Sequence, residues 1–122
     1  MFNFEGYNNQ DNSSLEKKEE RLKTLEHLAV QAGFEETPEM RELEQEITEV
    51  PGEKYEAWRE FAEDQVEASP DYIRAQIALL IAETAIYLRI GNDAAFSDHL
   101  NDAIEYANSV GFEDMVKSLE QL

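Results

Sequence analysis

From residue 13 onward the apolar residues of this chain recur at spacings of three and four, and no stretch alternates with period two for long enough to make a strand. That period matches an α-helix with one buried face. Gly33, Pro51-Gly52, Gly91 and Gly111 stop the pattern, and Thr37-Pro38 and Ser69-Pro70 restart it. Glycine in the left-handed conformation ends a helix, and a Ser or Thr cap followed by Pro opens one. The spacing predicts an all-α fold, a compact bundle of five or six helices with antiparallel helical hairpins.

The first helix is expected to begin at Ser13 or Ser14, because Ser13 and Glu16 have capping-box spacing. Its apolar stripe is Leu15, Leu22, Leu25, Ala29 and Ala32, and Phe34 folds back over the Gly33 stop. The second opens at Thr37-Pro38, carries Met40, Leu43, Ile47 and Val50, and ends at Pro51-Gly52. A third, over 53–68, turns Tyr55, Trp58, Phe61, Ala62 and Val66 inward. The longest, over 70–90, carries Ile73, Ile77, Leu80, Ile81, Ala85 and Leu88, with Ala78, Leu79 and Ile86 on further faces. Apolar on nearly every side, it reads as the central helix. Asn92 or Asp93 caps a fifth, with Phe96, Leu100, Ala103, Ile104 and Ala107 inside. Met115, Val116, Leu119 and Leu122 mark a last one. Residues 1–12 lack a helical period and read as a flexible tail, or as an arm whose Phe2, Phe4 and Tyr7 dock on a surface. Residues 13–122 form the single domain.

Charge narrows the function classes. There are 28 acidic and 10 basic residues among 122, a formal charge of −18. A hydrophobic content of 42% argues against wholesale disorder. Lys and Arg carry phosphate binding, so direct contact with nucleic acid is excluded and an anionic membrane surface is disfavoured. There is no cysteine, hence no disulfide scaffold, thiolate-bound zinc or thiol nucleophile. The uncharged interior of the most apolar stretch, 75–82, is far short of the roughly 20 residues that span a bilayer. Residues 1–12 lack the basic start and apolar run of a signal peptide. The expectation is a cytoplasmic protein.

The acids fall in stripes. Glu39, Glu42, Glu46 and Glu49 lie at helical spacing, as do Glu56, Glu60, Glu63 and Glu67, and Asp98, Asp102 and Glu105. One reading is a set of solvated faces, at a cost of roughly 0.2–0.5 kcal/mol for each like-charged i,i+4 pair unless salt screens it. A second is a docking face for a basic protein, with Glu42, Glu46, Glu56, Glu60, Glu63, Asp98 and Asp102 as the partner-binding candidates. Its extreme form is mimicry of a nucleic-acid backbone, inhibiting a DNA-binding protein. A third is a metal site at Glu46, Glu49, Glu60 and Glu63, serving a metal-dependent enzyme that acts on a nucleotide or another phosphorylated small molecule. All-α nucleoside triphosphate pyrophosphohydrolases pair Glu-x-x-Glu with Glu-x-x-Asp. This chain has Glu60-x-x-Glu63 there and Pro51-Gly52 between the pairs, a departure that disfavours that family. Neither His27 nor His99 has a Glu three residues before it, which excludes a di-iron carboxylate bundle. No cofactor or catalytic residue is expected.

Two further patterns stand out. Leu25–Glu36 aligns without a gap on Ala103–Asp114, sharing Ala29 with Ala107 and Gly33-Phe34-Glu35 with Gly111-Phe112-Glu113. A duplicated unit and a recurrent helix stop both account for it. Residues 77–110, with small Thr84, then Tyr87, the Gly91-Asn92-Asp93 turn, Leu100 and Ala103-Ile104-Glu105-Tyr106-Ala107, resemble a helical hairpin of the tetratricopeptide repeat class. Phe96 stands where that family has a small Ala, which implies a wider helix pair. The resemblance implies a scaffold that binds peptides or proteins, without catalysis. The sequence reading is therefore an acidic protein–protein interaction module, with a homodimer allowed if the central helix leaves an apolar patch uncovered.

Overall fold

The same backbone device ends three of the helices. In the computed structural model, which describes the backbone of residues 2–122 and the side chains of residues 16–122, α1 (Phe2–Gln31) stops at Gly33, whose φ is +102°. The Gly33 amide donates to Val30 O and the Phe34 amide to Ala29 O, both at 2.9 Å. α4 (Tyr72–Ile90) and α5 (Asp93–Ser109) end in the same way. The Asn92 amide donates to Tyr87 O at 3.0 Å and the Phe112 amide to Ala107 O at 2.9 Å. This paired closure satisfies the last carbonyls of a helix and needs a residue that tolerates positive φ. The echo between Leu25–Glu36 and Ala103–Asp114 is thus a shared stop, with Ala29 and Ala107 as matching acceptors.

α1 continues through Ser13 and Ser14, where the sequence pattern would begin it. Serine is only moderately unfavourable inside a helix, so a cap signal does not compel a boundary. The expected tail over residues 1–12, its aromatics and the Ser13 side-chain cap lie outside the described side chains.

The other starts follow their caps. Thr37 Oγ1 accepts from the Met40 amide at 3.2 Å and opens α2 (Pro38–Glu46). Asn92 Oδ1 accepts from the Ala95 amide at 3.2 Å and opens α5. α3 (Glu53–Ala68) starts at Gly52, where a Cβ would lie 2.9 Å from the Glu49 carbonyl oxygen. α6 (Glu113–Glu120) closes the chain.

Two further boundaries differ from the sequence reading. α2 ends at Glu46, not at Val50. A residue before proline is pushed out of helical geometry, and the chain leaves early enough for Ile47 to turn into the core. α4 begins at Tyr72, not at Pro70, because Asp71 takes the cap: its Oδ1 accepts from the Arg74 amide at 3.1 Å. A carboxylate also meets the positive end of the helix dipole. Ser69 Oγ instead accepts from the Asp71 amide in a local turn.

α4 is the centre of the bundle, packed by α1, α3 and α5. From Ile77 to Leu88 all but Leu79 and Leu80 are buried. Its first turn is not: Tyr72 and Ile73 are 53% and 46% exposed. The expected burial of Ile73 is therefore wrong, since close packing along α4 starts one turn later. Phe61, also expected inside, is exposed, because the stripe of α3 runs Tyr55, Trp58, Ala62 and Val66 and leaves position 61 at its edge. Buried Thr84, Ala85, Ala103 and Ala107 put small side chains on both members of the α4–α5 pair. α2 packs on α3 and α6 on α5, whereas α1 passes over its neighbours in sequence to lie along α4.

Candidate functional site

The acidic stripes lie on the surface. Glu39, Glu42 and Glu46 on α2, Glu56, Glu60, Glu63 and Glu67 on α3, and Asp98, Asp102 and Glu105 on α5 are all exposed. Two of these ten meet a cation among the described residues: Glu46 with Lys54 at 2.7 Å, and Glu63 with Arg59 at 2.9 Å. The charge and hydrogen bond of Glu46 raise the Lys54 ammonium above its ordinary value. Glu49 falls in the connection after α2, so Glu46 and Glu49 do not share a helix face. Among the described residues no three Asp, Glu or His side chains are grouped as metal ligands, and Glu46, Glu49, Glu60 and Glu63 form no such set. His27 is exposed. His99 lies against the Tyr87 ring at 4.4 Å, and its Nδ1 is 3.0 Å from Ala95 O.

Two buried acids were not singled out by the sequence reading. Glu83, 4% exposed, lies in the middle of α4. The Tyr55 hydroxyl, from α3, donates to Glu83 Oε2, and the Tyr87 hydroxyl is 3.4 Å from that of Tyr55. Burial, then the hydrogen bond to Glu83, pushes the Tyr55 phenol well above its usual range, which keeps it a donor. The charge of Glu83 raises the Arg59 guanidinium further still. Trp58, beside Tyr55 and Phe34, is fully buried. Its Nε1 has no partner among the described residues. This node joins α3 to α4 by polar contacts inside an apolar core.

Glu44, 6% exposed, is the second buried acid. Arg89 Nη2, at the end of α4, is 3.3 Å from Glu44 Oε1 and 3.2 Å from Glu26 Oε1 of α1. Glu36, from the α1–α2 connection, completes the group, with Arg41 at 3.7 Å on its outer side. A cavity of about 260 Å³ is lined by Glu26, Glu36, Arg41, Glu44, Gln45 and Arg89. The Glu44 carboxyl is pushed up to about 8, chiefly by burial and then by its hydrogen bond with Glu36 and that residue's charge, against a lowering by Arg89. This raised value favours the protonated, neutral form of the Glu44 carboxyl beside Arg89.

Both acids carried a signal. Glu83 interrupts the most apolar segment, and Glu44 stands four residues after Met40 and three before Ile47, on the apolar stripe of α2. A groove of about 650 Å³ lies elsewhere, with Leu28, Arg74, Phe112 and Met115 among its lining. Arg74 spans it, donating to Gln31 O at 2.8 Å with its guanidinium 5.7 Å from the Phe112 ring centre. No family model, curated protein or solved structure matches this chain.

Proposed function

We propose that the chain is an acidic helical interaction module that docks a basic protein partner on the joined faces of α2 and α3. One observation carries this reading. α2 and α3 pack on each other, and of their seven exposed stripe carboxylates only Glu46 and Glu63 have a cation partner among the described residues. Such a field speeds encounter with an oppositely charged surface and fixes its register. The resemblance of the 77–110 hairpin to peptide-binding repeats supports the same reading. Asp98 and Asp102, on α5, are exposed as well. Among the described residues no helix is long and apolar enough to cross a membrane, which accords with a place in the cytoplasm. Homodimerisation would draw on exposed Val30, Phe61, Tyr72 and Ile73, and sedimentation over a concentration series tests it.

A Lys- and Arg-rich peptide tests the docking face by titration calorimetry over a salt series. The quadruple variant Glu42→Gln, Glu46→Gln, Glu60→Gln, Glu63→Gln is compared with a charge-matched one, Glu19→Gln, Glu20→Gln, Glu113→Gln, Glu120→Gln. The first is expected to lose binding and the second to keep it. Equal loss in both would mean that only bulk charge acts.

A further inference from the structure

α2 has nine residues and leans on α3. Its polar tie to the α1–α4 pair is the Glu44 carboxyl, which reaches Arg89 across the bundle. The charged groups facing that carboxyl come from each side. They are Glu26 of α1, Glu36 of the α1–α2 connection and Arg89 of α4, with Arg41 of α2 held on Glu36. α3, the remaining element against α2, contributes no charge to this group among the described residues. Three carboxyls therefore meet two guanidiniums. If all three ionise, one negative charge is left unbalanced. A proton restores the balance, and it belongs on the least solvated of the three. The Glu44 side chain is 8% exposed, against 22% for Glu36 and 45% for Glu26.

We propose that Glu44 is a protonation latch: with its proton in place it holds α2 on the α1–α4 pair, and loss of that proton releases α2. The proton passes from the carboxyl oxygen to solvent water in the adjoining cavity, and no other bond changes. The carboxyl sits at about 8 in the folded chain, against an ordinary 4.5. Between those two values the folded protein keeps a proton that the unfolded chain has released. Stability falls as pH rises through that window and levels off above it. Opening is local, because α2 is short and its neighbours in the core belong to other helices.

The test uses the full chain and Glu44→Gln, which keeps the shape and neutrality of the protonated acid. Thermal melting is followed from about pH 5 to about pH 9, together with a carbon-detected NMR titration of the Glu44 carboxyl in the unaltered chain. The expected carboxyl midpoint is near 8. The unaltered chain should lose several degrees of Tm relative to the Gln variant as pH rises. Amide protection in α2, corrected for intrinsic exchange, should fall about tenfold between pH 6 and pH 9 while that of α4 holds. A midpoint near 4.5 or parallel melting profiles would overturn the proposal. So would a high midpoint with α2 protection unchanged. The titration and the exchange measurement need only the unaltered chain, so they decide the matter even if the Gln variant folds poorly.

Discussion

Glu83 and Glu44 are buried to almost the same degree, at 4% and 6% exposure, yet their surroundings treat a carboxyl in opposite ways. Glu83 faces the Tyr55 hydroxyl, which donates to it, and the Arg59 guanidinium feels its charge. Glu44 faces two other acids and shares its one close cation with Glu26. The difference teaches that burial sets the cost of a charge, while the neighbours decide whether that cost is met by a donor or avoided by a proton. The first arrangement favours a fixed core, and the second makes the attachment of one helix depend on pH.

The comparison breaks most visibly at Tyr55. Tyr55→Phe removes the hydroxyl donor and leaves a buried carboxyl unsatisfied, so urea denaturation should show a loss of about 3 kcal/mol. Arg89→Met should cost about 2 kcal/mol at neutral pH, since the charge-assisted hydrogen bond to Glu26 and the close contact with Glu44 go with it. It should also push the Glu44 carboxyl higher, because the one lowering influence is gone. Glu44→Gln reverses the usual sense of a core substitution. At about pH 9 it should stabilise the protein, and the gain should vanish at acidic pH, where the natural side chain is neutral as well. Lys54→Ala breaks a 2.7 Å pair with Glu46 at the surface. A change within about 0.5 kcal/mol is expected, because exposed ion pairs contribute little.

Much of the architecture is legible in local chemistry. Thr37 and Asn92 cap where their side chains can reach a free amide, and Gly33, Gly91 and Gly111 stop helices because they accept positive φ. The central place of α4 follows from its all-round apolarity. What escapes this reading depends on competition or on partners distant in sequence. Asp71 caps α4 through the Arg74 amide while Ser69 accepts from the Asp71 amide, a division that no single-residue preference decides. The surface acids are legible as stripes, yet the pairing of Glu46 with Lys54 depends on how the chain turns between α2 and α3. Glu44 stands on the apolar stripe of α2, a signal masked by the other glutamates of that helix. Its meaning rests on Arg89, forty-five positions away in the chain.

The placement of α1 has a consequence for how the bundle is made. Its buried stripe, Leu25, Leu28, Ala29 and Ala32, is covered largely by α4, while α2 and α3 fill the chain between them. During synthesis, α1 must therefore wait until α4 has emerged, while α2 and α3 can pair beforehand. Local pairs close quickly, and contacts across a long loop come later. The apolar face of α1 is the surface a nascent chain exposes longest, and the dense charge of the following segments keeps that waiting chain in solution.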